Sequence, residues 1–174
     1  MFIFAHIGFT IIIFYLVTKI LRLDKPIDYR LVAFVAILPD LVDKGFGILL
    51  FPEQVGNGRI YAHTLIFAVL FIVAGDYFVR RRGSYFVSII GWGFMCHLLL
   101  DKMWTIPQTL YWPLLGLNFK ADYEVVQTDF SVYIMQVIDN VFTSGLSQVL
   151  IFEILGFVIT FGFIINYYLA KKSN

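Results

Sequence analysis

The chain has one cysteine, Cys96, among 174 residues. That excludes an intrachain disulfide and a multi-cysteine zinc site. Charge is also scarce. Charged residues make up 14% of the chain, and the formal net charge is +1. Such a balance gives no electrostatic case for binding nucleic acid. There is no Gly-rich phosphate loop, no nucleophile elbow and no His-Glu-x-x-His motif. Internal repeats and low-complexity linkers are absent too. Histidine is confined to His6, His63 and His97.

What the chain has in excess is apolar surface. It is 60% hydrophobic and 18% aromatic, with a mean hydropathy of +0.82. A soluble core of this length cannot hide that much, so lipid is the expected solvent. A hydrocarbon layer of ~30 Å takes ~20 helical residues to cross. Residues 2–21, 62–79, 84–101 and 149–170 are suitable stretches. The first is read as a retained helix, since no positive segment precedes it and no small-x-small cleavage site follows. A fifth stretch, 31–51, is apolar at both ends but holds Pro39, Asp40, Asp43 and Lys44. Proline removes a backbone donor and disfavours helix at Leu38, so a broken helix or re-entrant hairpin is expected there. Residues 102–148 carry Asp122, Glu124, Asp129 and Asp139 among aromatics and read as an extracytoplasmic or interfacial cap. Trp104, Tyr111 and Trp112 fit an interfacial belt. The expected fold is one all-α membrane domain, residues 1–174, of about five transmembrane segments, the second broken at Pro39.

Lys and Arg set the orientation. Lys19, Arg22, Lys25 and Arg30 follow the first stretch, Arg80–Arg82 separate the third and fourth, and Lys171 and Lys172 lie near the end. With these three clusters cytoplasmic, the N-terminus and the 102–148 cap lie outside. Only Lys44, Arg59, Lys102 and Lys120 run against this bias. Asp76 pairs with Arg80, one helical turn on.

This topology brings His6, His63 and His97 to one membrane level from three separate elements. Asp101 follows His97 by four residues, which places both on one helix face. Asp40 sits at the Pro39 position. Ionisable groups inside a membrane are costly and mark a site or a polar pair. His6, Asp40, His63, His97 and Asp101 are therefore the candidate metal ligands, against the alternative of a structural His–Asp cluster between helices. Imidazole plus carboxylate without thiolate suits Zn²⁺ in an open site, and Mn²⁺, Fe²⁺ or Ni²⁺ also fit. One or two ions are accommodated. A bound ion lowers the pKa of water to ~7, and a pair about 3.5–4 Å apart clamps a displacement at phosphorus. Arg59, four residues before His63, is placed to grip a phosphate oxygen or to anchor the interface. Asp40 and Arg59 are the residues expected to act directly in the chemistry. Asp43 reads as a ligand, as an orienter of a histidine, or as a solvated segment end. Glu153 faces either the site or the outer interface. Cys96 points to another helix face than His97 and reads as packing.

The order Ala5-His6-x-Gly8, Leu38-Pro39-Asp40-x-x-Asp43, Arg59-x-x-x-His63-Thr64, His97-Leu-Leu-Leu-Asp101 and Trp112-Pro113 resembles the YdjM-like family of inner-membrane, candidate metal-dependent hydrolases. The resemblance covers residues 1 to about 115. Where that family has a His-Arg-Gly-x-Thr-His stretch, Gly58-Arg59-Ile60-Tyr61-Ala62-His63 stands here without the first histidine. Asp43-Lys44 replaces its second Asp-His. The ligand order also looks like that of zinc-dependent phospholipase C. That likeness implies one ion on Asp40, His63, His97 and Asp101 and a second on His6 and Asp101. The remaining phospholipase ligands have no match, and Asp43, Glu124 or Asp129 would have to complete the second site.

The function expected is a membrane-bound metal-dependent hydrolase, phospholipase C-like or phosphatase-like, that cleaves a lipid or lipid-linked phosphoester. The alternative is a non-enzymatic membrane protein, such as a small ion or proton transporter or a structural bundle, that uses the same cluster to bind an ion or to pack its helices.

Overall fold

A computed structural model describes residues 3–23, 25–50, 59–119, 135 and 148–173. Among the described residues the regular structure is all helical. Four long helices come first: α1 Ile3–Leu21, α2 Tyr29–Leu50, α3 Leu65–Arg82 and α4 Phe86–Leu100. A 3-10 turn, Tyr61–His63, precedes α3, and another, Met103–Thr105, follows α4. Short α5 Pro107–Leu110 and long α6 Gln148–Ser173 complete the order. Of the 102–148 cap, residues 120–134 and 136–147 lie outside the described residues, and Asp122, Glu124, Asp129 and Asp139 with them.

The long helices alternate in direction. Lys25 Nζ donates to Gly83 O at 2.8 Å, which ties the α1–α2 loop to the α3–α4 loop. Two of the three basic clusters thus share one end of the bundle. The N-terminus of α1, the C-terminal half of α2, the Tyr61–His63 turn and the end of α4 share the other. Neighbouring helices lie close. A Cβ on Gly8 would stand 2.4 Å from Gly156 O, and one on Gly156 would stand 2.3 Å from Phe4 O. Backbone contact of this kind through small residues is how helices associate without a hydrophobic drive between them.

Glu153 of α6 settles where α1 begins. Phe4 N–H and Ala5 N–H donate to its two carboxylate oxygens at 2.7 and 2.9 Å. The first turn of α1 has no acidic residue of its own, so a neighbouring helix satisfies its orphan donors.

The break expected at Pro39 does not occur. α2 runs unbroken from Tyr29 to Leu50 with Pro39 inside it. Proline deletes one ladder hydrogen bond but leaves φ in the helical range, and packing can carry the helix through. Pro39 is fully buried. One turn earlier, Val35 lies against α4 at Gly93, where a Cβ would come within 2.4 Å of Val35 Cγ1.

Among the described residues, two helices are long and apolar enough to cross a membrane: α1, and residues Leu150–Leu169 of α6. Apolar α4 is shorter, at 15 residues. α2 holds the charges of Asp40, Asp43 and Lys44, and α3 holds Asp76 and three arginines. The outer side of α6 exposes Ile154, Phe157, Val158, Phe161, Ile165 and Leu169. A helix that is apolar and mostly exposed suits a lipid surround.

Gly156→Val should overpack the α1–α6 crossing at a cost of about 3 kcal/mol, lowering the detergent-state Tm by ~6 °C or more. Gly162→Val, which has nothing within 4 Å of its Cβ position, should leave Tm near wild type. A thermal melt of the two variants checks this, and equal melting points would mean that α1 and α6 do not cross here.

Candidate metal centre

Four elements deliver the site. α2 supplies Asp40, Asp43 and Lys44, and the Tyr61–His63 turn supplies His63. α4 supplies His97, with Asp101 as its C-cap. Asp101 N–H donates to His97 O at 2.9 Å, which fixes the one-turn spacing of that pair. α1 supplies His6. Arg59 lies just before the turn.

Asp43 organises the turn. Its carboxylate accepts from Ile60 N–H, Ala62 N–H and His63 N–H at 2.8, 3.0 and 3.2 Å. His63 Nδ1 lies 2.7 Å from the same carboxylate. A group already accepting three backbone donors is an ionised acceptor, so the ring nitrogen is the donor. Among the readings open for Asp43, the structure selects the histidine orienter. His97 is held likewise. Its Nδ1 lies 2.8 Å from Ala36 O, a carbonyl that can only accept. Ala36 O lies one residue beyond Val35 O, the carbonyl that loses its helical donor to Pro39.

Both Nδ1 atoms are therefore protonated, and in the neutral rings both Nε2 atoms carry lone pairs. Those atoms lie 3.2 Å apart. Two facing lone pairs repel unless a proton or a metal ion lies between them. Two Zn–N bonds of about 2.0–2.1 Å at the tetrahedral angle set their nitrogens about 3.3 Å apart. The carboxylates close on the same point. Asp40 Oδ1 is 3.5 Å from His63 Nε2 and 4.0 Å from His97 Nε2, and Asp101 Oδ2 is 3.9 Å from His63 Nε2. One ligand atom from each of Asp40, His63, His97 and Asp101 lies within 4.8 Å of all the others. The two histidines are completely buried. The Asp101 side chain is 3% exposed and that of Asp40 23%, so the site opens on the Asp40 side. Spacing, donor type and burial all fit a divalent ion.

His6 reaches the cluster through Asp101. Its Nε2 is 3.1 Å from Asp101 Oδ1, the oxygen not directed at His63, and its ring lies over His97 at 4.3 Å. It stands beside the four-residue group. Arg59 reaches Asp101 Oδ2 at 3.2 Å, so it belongs to the site environment. Lys44 reaches Asp40 Oδ1 at 3.1 Å. Glu153 serves the α1 terminus instead, and Asp76 pairs with Arg80 at 2.7 Å as expected. Cys96 packs among Ile11, Phe14, Val32 and Ile89. An apolar cavity of about 730 Å³ between α1, α3 and α4 is lined by Cys96, Trp92 and Leu99 and by none of the cluster residues.

The Ala36 carbonyl is what the sequence reading missed, since it is backbone and leaves no residue signal. The orienting of a histidine by Asp43 was among the readings open for that residue, and its position three residues after Asp40 places it on the same helix face.

A family model described as YdjM inner membrane protein matches residues 1–173. No curated protein and no solved structure matches the chain. The ligand-order likeness to zinc-dependent phospholipase C finds no support in these comparisons.

Removing a ligand should empty the site. Protein purified without chelators should hold about one equivalent of a divalent metal by elemental analysis, and His97→Ala and Asp101→Ala should hold almost none. Asp43→Asn should weaken metal affinity by roughly 10–100-fold, the usual effect of losing a histidine orienter. Wild-type affinity in Asp43→Asn would show that the carboxylate does not position His63.

Proposed function

The chain belongs to the YdjM inner membrane protein family, and from that premise we propose that it is a membrane-embedded, metal-dependent hydrolase acting on a lipid or lipid-linked phosphoester. The observation that carries the reading is the pair of Nε2 atoms 3.2 Å apart, each ring locked by its Nδ1 partner, with two carboxylates at the same point. A structural polar cluster would need a proton between those two nitrogens, whereas a divalent ion would take both lone pairs and both carboxylates at once.

Asp40, His63, His97 and Asp101 would hold the ion, most suitably Zn²⁺, with Mn²⁺, Fe²⁺ or Ni²⁺ as alternatives. When bound, such an ion supplies Lewis acidity and acidifies water at neutral pH. His6 would orient Asp101 or support a second ion through Asp101 Oδ1. Asp40, the more open of the two carboxylates, would accept the proton from the attacking water. Arg59 would hold a non-bridging phosphate oxygen.

The five long helices cross the membrane in this reading, with the Lys and Arg clusters in the cytoplasm and the site at the outer level. The short α4 and the charged α2 would be sheltered by their neighbours, which is how membrane helices carry polar groups. A lipid head group reaches that depth by lateral diffusion while its chains stay in the bilayer, whereas a water-soluble polymer has little reason to meet the site. Trp112 packs edge-on against Tyr61 of the turn that carries His63, and Trp104, Tyr111 and Trp112 suit the interface.

Metal-loaded wild type incubated with a total lipid extract should convert at least one phosphorus-containing lipid, read by mass spectrometry. Asp40→Asn should abolish that turnover while retaining part of its metal, because an amide ligates weakly and accepts no proton. If the ions are present and no lipid changes, the cluster binds an ion for transport or structure. For orientation, single cysteines in a Cys96→Ser background should be labelled from outside at Leu117 and from inside at Ser84. The reverse pattern would move the site to the cytoplasmic face.

A further inference from the structure

Lys44 and Arg59 are two of the four cationic residues that break the charge bias along the chain. Both lie at the metal centre. Each also bonds the particular carboxylate oxygen that faces the imidazoles. Lys44 Nζ is 3.1 Å from Asp40 Oδ1, the oxygen 3.5 Å from His63 Nε2. Arg59 is 3.2 Å from Asp101 Oδ2, the oxygen 3.9 Å from that same nitrogen. Both side chains are partly open, 48% exposed for Lys44 and 33% for Arg59. They come from different elements and approach the cluster through different carboxylates.

We propose that Lys44 and Arg59 form a two-cation clamp for a phosphate group, released from the carboxylates when a divalent ion takes them. The proposal rests on the metal-site reading above and adds to it an anionic ligand and a second residue that binds it. The charge balance drives the exchange. With neutral histidines, Asp40, Asp43 and Asp101 against Lys44 and Arg59 leave the cluster with a net charge of −1, and a divalent cation makes it +1. A cation competing for Asp40 Oδ1 and Asp101 Oδ2 weakens the bonds of both side chains to those oxygens. The freed ammonium and guanidinium then stand a few ångströms from the ion, where they meet the non-bridging oxygens of a phosphate. A neutral ester or amide substrate offers nothing to hold two cations there, so the clamp specifies phosphoesters. Arg59 supplies planar, two-pronged contacts and Lys44 a movable point charge.

Without the clamp, the Lys44–Asp40 contact is an ordinary one-turn helix pair that contributes little, and deleting it would affect neither metal nor phosphate. Full-length protein in detergent, loaded with one equivalent of Zn²⁺, should be titrated with inorganic phosphate by calorimetry, alongside Lys44→Met, Lys44→Arg and Arg59→Met. The metal-loaded wild type should bind phosphate and the metal-free wild type should not. Lys44→Met and Arg59→Met should each weaken phosphate binding about tenfold or more with metal content unchanged, and Lys44→Arg should restore most of the loss. Metal affinity measured without phosphate should stay the same or rise by up to about fivefold in Lys44→Met, since a competitor for Asp40 has gone. Phosphate affinity unchanged in Lys44→Met, or equal with and without metal, overturns the clamp and leaves the metal site standing. A wild type that holds no metal overturns the site and the clamp together.

Discussion

Everything at the centre of this bundle follows from two imidazole nitrogens that face each other at 3.2 Å with their opposite nitrogens already committed. A histidine with a free ring can rotate away from a neighbour, but His63 and His97 cannot. One is bonded to a carboxylate that also accepts three backbone donors, and the other to a backbone carbonyl of α2. Both are buried, so water is not there to separate them. The cost of that arrangement is electrostatic, and a proton or a metal ion between the two nitrogens relieves it. The carboxylates of Asp40 and Asp101 approach from the remaining directions and supply the opposing charge.

The rest of the fold supplies rigidity to that arrangement. Glu153 caps the first turn of α1 and so fixes the height at which His6 meets Asp101. Gly8 and Gly156 let α6 come near enough to do so. Gly93 lets α4 lie against Val35, the residue before the carbonyl that holds His97. Pro39 disturbs the same turn of α2 without ending the helix. The 3-10 turn Tyr61–His63 is wrapped around the Asp43 carboxylate, and its geometry carries the His63 ring. Each device lies one step away from the proposed ion, and together they hold the ligands in place before it arrives.

The site was more legible in the sequence than the helices that carry it. Charge asymmetry alone predicts that His6, His63 and His97 meet at one end, because it assigns direction to each apolar stretch. Helical spacing adds Asp101, which the structure places as a cap still one turn from His97. Proline was over-read. The local rule predicts a break at residue 39, and burial against α4 outweighs it. The apolar stretch expected from residue 62 opens with a 3-10 turn, Tyr61–His63, wrapped on the Asp43 carboxylate, and α3 starts at Leu65. Glu153 could be placed near the site level but not assigned a partner, since its acceptors are spent on backbone groups 148 and 149 positions away. The count of crossing helices stays mixed: α1 and α6 meet the length and apolarity of a span, whereas α2 and α3 carry the charges that serve the site and the basic end. The residues most useful for function are therefore the ones that make a helix look least like a membrane span.

X-ray absorption at the zinc edge of the loaded protein tests the central claim most directly. The account predicts a shell of nitrogen and oxygen at about 2.0–2.1 Å with the outer-shell scattering of two imidazoles, and loss of that imidazole signal when His63 or His97 is replaced. A sulfur shell near 2.3 Å, or an oxygen-only shell without imidazole scattering, would contradict it.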